Sequence, residues 1–556
     1  MYHYNAADSQ LLKERAQQFR GQTQRYLAGG LSDEAFRPLR LQNGLYIQRQ
    51  APMLRIAVPY GLLDSRQLRK VADIATRYDR GYAHVSTRQN FQLNWPALES
   101  VPDILDELAS VDMHCIQTSG NCIRNTTTDQ FAGVAPDEVE DPRPYCELIR
   151  QWSTLHPEFA FLPRKFKIAV CGSLADRAAI YSHDIGLALH RRADDQLGVT
   201  VVVGGGLGRT PIIGSVIEES LPIEHMISYL EAVLRVYNQL GRRDNKYKAR
   251  IKILLRAMGI DAFRTAVHRE WQTLKDGPTT LNAQTLKQAR EHFSLHGYET
   301  LDAQASANSL AAIDDPIFQS WIQHNTHVHK KAGYRALTIV LKSHGRAPGD
   351  ITSAQLEGIA DLADQFSFGE VRNTHHQNMV LADVKESDLY AVWQHLQALG
   401  LASTANGHLT DLICCPGGDF CSLANARSLP VAEAIAQRFD DLDYLYDLGP
   451  IELNISGCMN ACGHHHIGHL GILGVDKKGE EFFQISLGGK QADPPTVGKI
   501  LGPSFKAEDI PDVLDTILTT YLALREEGES FIDACHRLGV EPFKERVYAS
   551  PASPSQ

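Results

Sequence analysis

An internal repeat constrains the fold of this chain more than any other feature of its 556 residues. A shift of 288 positions lays residues 353–381 on residues 65–93 without a gap, and ten of the 29 aligned residues are identical. Further along the chain, the segment 538–543 falls on the segment 258–263. Because chance similarity rarely extends this far, the sequence predicts an internally duplicated protein.

Each copy is predicted to contain a small sheet unit followed by a larger α/β unit. In the first copy, residues 45–48 and 54–58 have the composition of strands. Apolar residues recur at helical spacing over 65–77, a strand is predicted over 84–93, and a second helix follows up to Leu108. We therefore predict an α/β (α+β) fold whose two halves are related by a pseudo-twofold axis.

The repeat also predicts the domain organisation. More than one domain is expected at this length, because a single core stops growing at roughly 250–300 residues. The predicted segments are an N-terminal arm (1–40), the first small unit (41–125), the first large unit (126–265), a linker (266–332), the second small unit (333–402), the second large unit (403–548) and a tail (549–556).

The composition is that of a globular protein, with 43% hydrophobic and 22% charged residues. A net charge of -11 argues against a general nucleic-acid binder. The N-terminal residues lack the apolar core of a signal peptide, and no run reaches the roughly 18 apolar residues of a membrane span. We therefore expect a cytoplasmic protein whose cysteines serve as ligands or catalytic groups rather than as disulfides.

Two close cysteine pairs occur in the second copy. Five residues separate Cys415 from Cys421, and three separate Cys458 from Cys462. Thiolates at such spacings bind Zn²⁺ or an iron–sulfur cluster, and the five-residue separation fits zinc sites poorly. Cys414 competes with Cys415 as a ligand, so one of these two neighbours is expected to be inert.

The chemistry of the two copies is unequal. The first copy lacks the cysteine pairs, and it has Arg88 where the second copy has His376. A duplicated scaffold that has diverged in this way favours one shared site at the junction, to which each copy contributes different groups.

The cysteine region, with the segment 454–463 around Cys458 and Cys462, resembles the siroheme and 4Fe-4S signature of the assimilatory sulfite and nitrite reductases. The resemblance covers nearly the whole chain and includes residues 86–90 and 162–167. It implies that each half is a ferredoxin-like half unit followed by an α/β haemoprotein unit. It also implies that Cys415, Cys421, Cys458 and Cys462 hold the cluster, and that Cys462 bridges to the siroheme iron.

Four basic residues match the family's pattern: Arg88, Arg124, Lys165 and Lys167. Reduction of an oxyanion requires fixed positive charge and a supply of protons, and siroheme carboxylates require cationic partners. The resemblance therefore assigns both catalytic and cofactor-binding roles to these side chains. Lys165 and Lys167 are two residues apart on a predicted strand, which places them on one face.

Tyr46 and Cys122 match two positions that ferredoxin-type sulfite reductases of this family can link covalently near the haem. We expect such a link or a close contact between the two side chains. His464, His465 and His466 depart from the Arg-containing sequence common in the family. Because consecutive histidines cannot all face one ion, polar surface or contacts with the cofactor edge are expected there.

The glycine-rich segment 204–209 lacks the full spacing of a dinucleotide-binding loop. With no nicotinamide or flavin site predicted, the electron donor is expected to be a separate protein, either a ferredoxin or a flavoprotein reductase. The resemblance implies an assimilatory sulfite reductase that converts sulfite to sulfide with six electrons. Two alternatives remain, a nitrite reductase with the same cofactors and a non-catalytic zinc or iron–sulfur binding protein.

Overall fold

The computed structural model describes residues 4–293 and 297–549. The helices are α1 Ala6–Leu27, α2 Asp33–Gln42, α3 Ser65–Tyr78, α4 Val101–Ala109, α5 Arg143–Ser153, α6 Met226–Leu240, α7 Ile251–Met258, α8 Ile260–Trp271, α9 Ala283–Glu291, α10 Ala303–Ala311, α11 Pro316–Asn325, α12 Ser353–Phe366, α13 Leu389–Ala398, α14 Leu429–Arg438, α15 Leu442–Leu448, α16 Ile510–Leu524, α17 Phe531–Leu538 and α18 Glu541–Ala549. Among these helices, none combines the length and the apolar character needed to cross a bilayer.

The strands form four five-stranded sheets within the described residues. They are β1 Leu45–Ile47, β2 Pro52–Ile56, β3 Leu62–Asp64, β4 Tyr82–Val85, β5 Phe91–Leu93, β6 Thr127–Thr128, β7 Ile168–Cys171, β8 Ile185–Arg191, β9 Leu197–Val203, β10 Ser215–Pro222, β11 Thr326–Val328, β12 Tyr334–Ile339, β13 Asp350–Thr352, β14 Glu370–Asn373, β15 Met379–Lys385, β16 Ile413–Cys414, β17 Leu453–Ser456, β18 Leu470–Lys477, β19 Glu480–Leu487 and β20 Lys499–Ile500.

The two large sheets share one topology, which confirms the predicted duplication. Their strand orders are β10-β9-β8-β7-β6 and β16-β17-β18-β19-β20. In each sheet the first three strands along the chain are parallel and the next two are antiparallel. Ala169 pairs with Gly186 in the first copy, as Asn454 pairs with Gly471 in the second.

The two small sheets exchange a strand. Their orders are β1-β2-β5-β4-β13 and β11-β12-β15-β14-β3, so each sheet takes one edge strand from the other copy. Reciprocal hydrogen bonds mark the exchange, because Ser65 N donates to Gly369 O and Ser353 N donates to Gly81 O, each at 2.9 Å. One hydrophobic core spans both small units as a result.

Helices α3 and α12 occupy equivalent places in this shared core and begin in the same way. Asp64 and Gln67 form a capping box at the start of α3, and Thr352 and Gln355 form one at the start of α12. A capping side chain satisfies backbone N–H groups that have no partner within the helix and stabilises it by about 1 kcal/mol. The two helix starts are therefore fixed by local sequence.

The connection between the copies contains α9, α10 and α11 among its described residues, and after Asn325 the chain enters the second small sheet. Strand β11 begins at Thr326 and pairs with β12, with Thr326 opposite Leu337. The second small sheet therefore includes residues that precede position 333.

The prediction of a single strand over residues 84–93 is wrong. Strand β4 ends at Val85 and β5 begins at Phe91, and the two pair antiparallel as a hairpin. Ser86 N donates to Asn90 O at 2.9 Å, and Gln89 has a φ of 59°. This tight turn, which lies between two short strands, places Arg88 at the tip of a hairpin.

Candidate active site at the junction of the two copies

The two cysteine loops pack backbone to backbone. A Cβ atom on Gly457 would lie 2.5 Å from Gly417 Cα and 2.7 Å from Ala426 O, so only glycine fits at position 457. Gly457 N also donates to the Sγ atom of Cys415 at 3.2 Å. The glycines therefore bring the segment after Cys415 against the segment before Cys458.

The four paired cysteines share one electrostatic environment. Burial raises the pKa of Cys415 to about 12 and also raises the pKa values of Cys421 and Cys458. Negative charge on Cys462 contributes to the raised pKa of each of these three thiols. The first and second pairs therefore lie close together, although they are far apart in sequence.

Cys414 lies apart from this group. It is fully buried in β16, and its Sγ atom is directed at the carbonyl of Cys415 at 3.2 Å. Burial raises its pKa well above the usual value, and the charges that raise it further are those of Cys415 and Asp419. This geometry favours Cys415 over Cys414 as the ligand.

The cysteine arrangement does not fit a zinc site. In residues 4–293 and 297–549, no three His, Cys, Asp or Glu side chains are arranged to hold a single metal ion. Zinc requires its sulfur ligands at about 2.3 Å from one centre. Four cysteines on glycine-rich loops instead provide the donor set of an iron–sulfur cluster, in which several iron atoms stand between the thiolates.

Turns from both small units support the cysteine loops. The amide side chain of Gln377 accepts a hydrogen bond from Cys414 N at 2.9 Å and donates to Cys414 O at 3.1 Å. From the first copy, Thr87 Oγ1 donates to Cys462 O at 2.8 Å. The hairpin tip that carries Arg88 therefore lies directly against the last cysteine.

Arg88 and Arg124 are held by backbone carbonyls. The Arg88 guanidinium donates to Asn125 O at 2.7 Å, and burial together with the charge of Arg124 lowers its pKa to about 9. Arg124 donates to Gly120 O at 2.7 Å and to Thr118 O at 2.9 Å. Both side chains are therefore fixed before any ligand binds.

Lys165 and Lys167 lie on one face of the extended segment that leads into β7. Between them, Phe166 is buried in the core, and its carbonyl accepts from Arg124 N at 2.7 Å. Burial lowers the pKa of Lys165 to about 8 and that of Lys167 well below its usual value. Negative charge on Cys462 acts against burial and raises both pKa values. Electrostatic interactions connect these lysines with the two arginines, and the group of four is called the cationic cluster below: Arg88, Arg124, Lys165 and Lys167.

These four cations lack carboxylate partners among the described residues. None of the ion pairs there involves Arg88, Arg124, Lys165 or Lys167, whereas nearby Arg250 pairs with Asp184 at 2.8 Å. Enclosing several like charges without counter-charges is costly unless an anion compensates them. The cationic cluster therefore fits a polyanionic group such as siroheme, together with a small oxyanion.

His183 and Arg250 also lie beside these cations, although neither was predicted from the sequence. The Nδ1 atom of His183 lies 2.8 Å from Ala179 O, so it carries the proton, and Nε2 accepts from Arg88 Nη1 at 2.5 Å. The positive charge of Arg250 lowers the pKa values of Arg88 and Lys167. The basic residues of the segment 242–252 could have indicated Arg250. No pattern in the sequence sets His183 apart from the other histidines of the chain.

Tyr46 and Cys122 contact neighbouring carbonyls. Tyr46 OH donates to Thr118 O at 3.4 Å, and Cys122 Sγ donates to Ser119 O at 3.2 Å. Burial alone would raise the pKa of Tyr46, but positive charges, chiefly that of Arg124, outweigh it and lower the value to about 8. Burial raises the pKa of Cys122, and Arg124 opposes this.

The histidines after Cys462 are buried or partly buried. The prediction that these histidines form polar surface is wrong for His465, which is 2% exposed. His466 Nε2 donates to Gly208 O at 2.9 Å. Burial, then the charges of Lys167, His375 and Arg88, lowers the pKa of His464. His464 therefore lies close to the cationic cluster.

Comparison with known proteins gives the family. The chain matches the family described as "Nitrite and sulphite reductase 4Fe-4S domain" over residues 119–275 and 406–553. It also matches the "Nitrite/Sulfite reductase ferredoxin-like half domain" over residues 46–111 and 327–399.

Individual relatives are similar to most of the chain. "Sulfite reductase [ferredoxin] 1" of Mycolicibacterium paratuberculosis is 28% identical over 88% of this chain and 83% of the relative. "Ferredoxin--nitrite reductase, chloroplastic" of Arabidopsis thaliana is 26% identical over 86% of this chain and 77% of the relative. The solved structure of the Mycobacterium tuberculosis NirA protein superposes with a TM-score of 0.76, at 25% identity, covering 93% of this chain and 92% of that one.

Both matched domain types occur twice, in the order expected from the repeat, and together they cover most of the chain. The protein is therefore a member of the nitrite and sulphite reductase family and an oxidoreductase.

Proposed function

We propose that the protein is an assimilatory sulfite reductase that reduces sulfite to sulfide at siroheme coupled to a 4Fe-4S cluster. The observation that carries the proposal is a cluster of four cations, without carboxylate partners among the described residues, beside the loop that carries Cys462. Conversion of one sulfite ion to sulfide consumes six electrons and six protons and releases three water molecules. The site therefore has to bind an anion and deliver protons to it.

The cysteines are proposed as cofactor ligands. Cys415, Cys421, Cys458 and Cys462 would hold the cluster, and Cys462 would join it to the siroheme. When bound, these cofactors supply the iron that takes the anion and the electrons that reduce it. The protein supplies ligation, position and charge.

The cations are proposed to bind the substrate and supply protons. Arg88 and Arg124 present guanidinium groups that are already oriented by backbone carbonyls, which suits paired hydrogen bonds to an oxyanion. Lys165, whose pKa is about 8, can give up a proton near neutral pH. Lys167 lies on the same face and would share both tasks.

Cofactor content is the first test. Absorption spectroscopy with quantitation of iron, acid-labile sulfide and siroheme should give a haem-like band and both cofactors. Cys462→Ser should lose cluster and sulfite turnover together. Normal turnover in Cys462→Ser would contradict the ligand assignment, and a colourless, zinc-loaded preparation would instead favour a non-catalytic metal protein.

Nitrite is the second candidate substrate, because the relatives include nitrite as well as sulfite reductases. Sulfite is favoured by Tyr46 and Cys122, which match the family's sulfite-reducing members and whose side chains bind adjacent carbonyls. The deciding measurement is kcat/KM for each anion with one artificial reductant. A higher value for nitrite at a similar KM would overturn the choice of sulfite.

A covalent link or close contact between Tyr46 and Cys122 is also proposed. The lowered pKa of Tyr46 makes its phenol oxygen easier to deprotonate, which favours reaction at the ring. Formation of the link is a two-electron oxidation, so an external oxidant such as dioxygen has to accept two electrons and two protons and leave as hydrogen peroxide. Peptide mapping of active enzyme should give one cross-linked peptide that is 2 Da lighter than the sum of its parts, since each side chain loses one hydrogen. Two free peptides in fully active enzyme would rule out the covalent form and leave the contact.

The electron donor is proposed to be a separate ferredoxin, as the names of the sulfite-reducing relatives suggest. A cytoplasmic location is proposed with it, because a reducing compartment keeps the cysteine ligands available. Turnover with reduced ferredoxin, compared with a flavoprotein donor at the same concentration, tests the choice. Faster turnover with the flavoprotein would reverse it.

A further inference from the structure

A basic hollow opens beside the glycine-rich segment of the first large unit. Its exposed lining is cationic and aromatic: Arg209, Arg242, Tyr247, Lys248 and Arg256. The rest of the lining is Thr210, Ile253, Leu254 and Ala257, so no acidic side chain of the described residues contributes. The chain as a whole carries a net charge of -11, which makes this positive concavity a local exception.

Most of this charge is uncompensated. Arg242 pairs with Asp244, but no acidic side chain in the described ranges forms an ion pair with Arg209, Lys248 or Arg256. Single exposed lysines and arginines are ordinary surface residues. Four of them in one concave lining produce a positive potential that attracts an acidic partner.

The hollow adjoins the cysteine loop of the second copy. The carbonyl of Gly208, next to Arg209, accepts a hydrogen bond from His466 Nε2 at 2.9 Å. A Cβ atom on Gly208 would lie 3.6 Å from the carbonyl oxygen of Met459. Met459 stands in the loop between Cys458 and Cys462 and is 40% exposed. Arg209 is therefore one residue away from a direct contact with that loop.

The segment between the hollow and the cysteine loop is held rigidly. Lys252 Nζ donates to three of its carbonyls, those of Gly206, Leu207 and Thr210, at 2.9, 2.8 and 2.6 Å. A surface supported in this way changes little when a partner binds. A protein seated in the hollow would thus lie at a fixed position beside the loop.

We propose that the basic hollow is the docking surface for the electron donor, a small acidic iron–sulfur carrier protein. This inference rests on the proposed function, which requires such a donor. Electron-transfer partners form small, transient interfaces whose association rate depends on complementary charge. The exposed ring of Tyr247, 68% exposed, adds an apolar contact among the cations.

The test uses the holoenzyme and a small acidic plant-type ferredoxin as the probe. In the double variant Lys248→Glu/Arg256→Glu, we expect the KM for reduced ferredoxin to rise roughly tenfold or more, because attraction becomes repulsion. Turnover driven by methyl viologen, a small dye that needs no docking surface, should stay within about twofold of the wild type. The milder variant Lys248→Gln/Arg256→Gln should give an intermediate KM and guards against misfolding of the reversal variant.

Lys13→Glu, an exposed charge reversal on α1, is the matched control and should leave the ferredoxin KM unchanged. An unchanged KM in both double variants would overturn the docking assignment, as would an equal rise in Lys13→Glu. Calorimetric titration of holoenzyme with oxidised ferredoxin measures docking without any substrate. A loss of ferredoxin binding in the double variants supports the docking assignment even if sulfite proves to be the wrong substrate. The docking proposal and the proposed function can therefore be tested independently.

Discussion

At the scale of single residues, the geometry of the cationic cluster depends on neighbouring side chains that hold its members in place. His183 is the clearest case, because its protonated Nδ1 is occupied by Ala179 O and its Nε2 must accept from Arg88. Burial and the charge of Arg88 keep its pKa well below the usual value, so it stays neutral and does not repel the guanidinium. We therefore treat it as a positioning residue for Arg88.

Replacing His183 by Ala should lower kcat/KM for sulfite roughly tenfold, since a hydrogen bond to a charged group contributes about 1.5–3 kcal/mol. The loss should appear mainly in the KM for sulfite, and His183→Asn, which keeps an acceptor, should recover part of it. Steady-state kinetics with an artificial reductant give both constants. His190→Ala, which removes a contact with Ser220, is the control, and an equal effect there would argue against positioning.

The pKa of Lys165 predicts how turnover depends on pH. Its pKa is lowered to about 8, so the amine holds its proton below that pH and loses it above. A proton-donating role therefore predicts that kcat falls as the pH rises through about 8. Lys165→Met should lower kcat by roughly 10²–10⁴-fold and remove this limb of the profile. If kcat of Lys165→Met still fell as the pH rose through about 8, the titrating group would be a different residue.

At the scale of secondary-structure elements, the hairpin turns and the glycine contacts assemble the site. Gln89 binds both backbone groups of Thr128, at 3.0 and 3.2 Å, as Gln377 binds those of Cys414. The same pair of hydrogen bonds from a glutamine side chain therefore holds β6 in the first copy and β16 in the second. In the second copy alone, the segment that follows carries cysteines.

Among the glycine contacts, the one between the two cysteine loops should tolerate substitution least. Gly457→Ala would force a methyl group to 2.5 Å from Gly417 Cα, so the loops would have to separate. We expect a loss of most iron and acid-labile sulfide in the purified protein, measured by chemical assay, with little change in far-ultraviolet circular dichroism. Gly21→Ala, where nothing lies within 4 Å of the added atom, should keep full cofactor content.

At the scale of the whole molecule, the exchange of β3 and β13 joins the two copies into one cooperative core. Leu68 of α3 and Leu356 of α12 are both fully buried in it. Leu356→Ala should therefore destabilise both small sheets by about 2–5 kcal/mol. Hydrogen exchange should speed up in β4 of the first copy as well as in β14.

Leu518→Ala, in the separate core of the second large unit, is the control and should leave exchange in β4 unchanged. Faster exchange confined to the second copy in Leu356→Ala would show that the two small units unfold independently.

The sequence alone determined the duplication, the fold class, the cysteine pairs and the four cations, because each depends on residue identity and spacing along the chain. It did not determine the turn at Ser86–Asn90, which lies between two segments of strand composition and whose Gln89 side chain donates to Thr128 O, 39 residues away. Nor did it determine the partners of those residues: the strand exchange, His183 behind Arg88, Thr87 on Cys462, and the basic hollow beside Met459. Each of these joins residues that are distant in sequence, and only tertiary packing decides which distant surfaces meet.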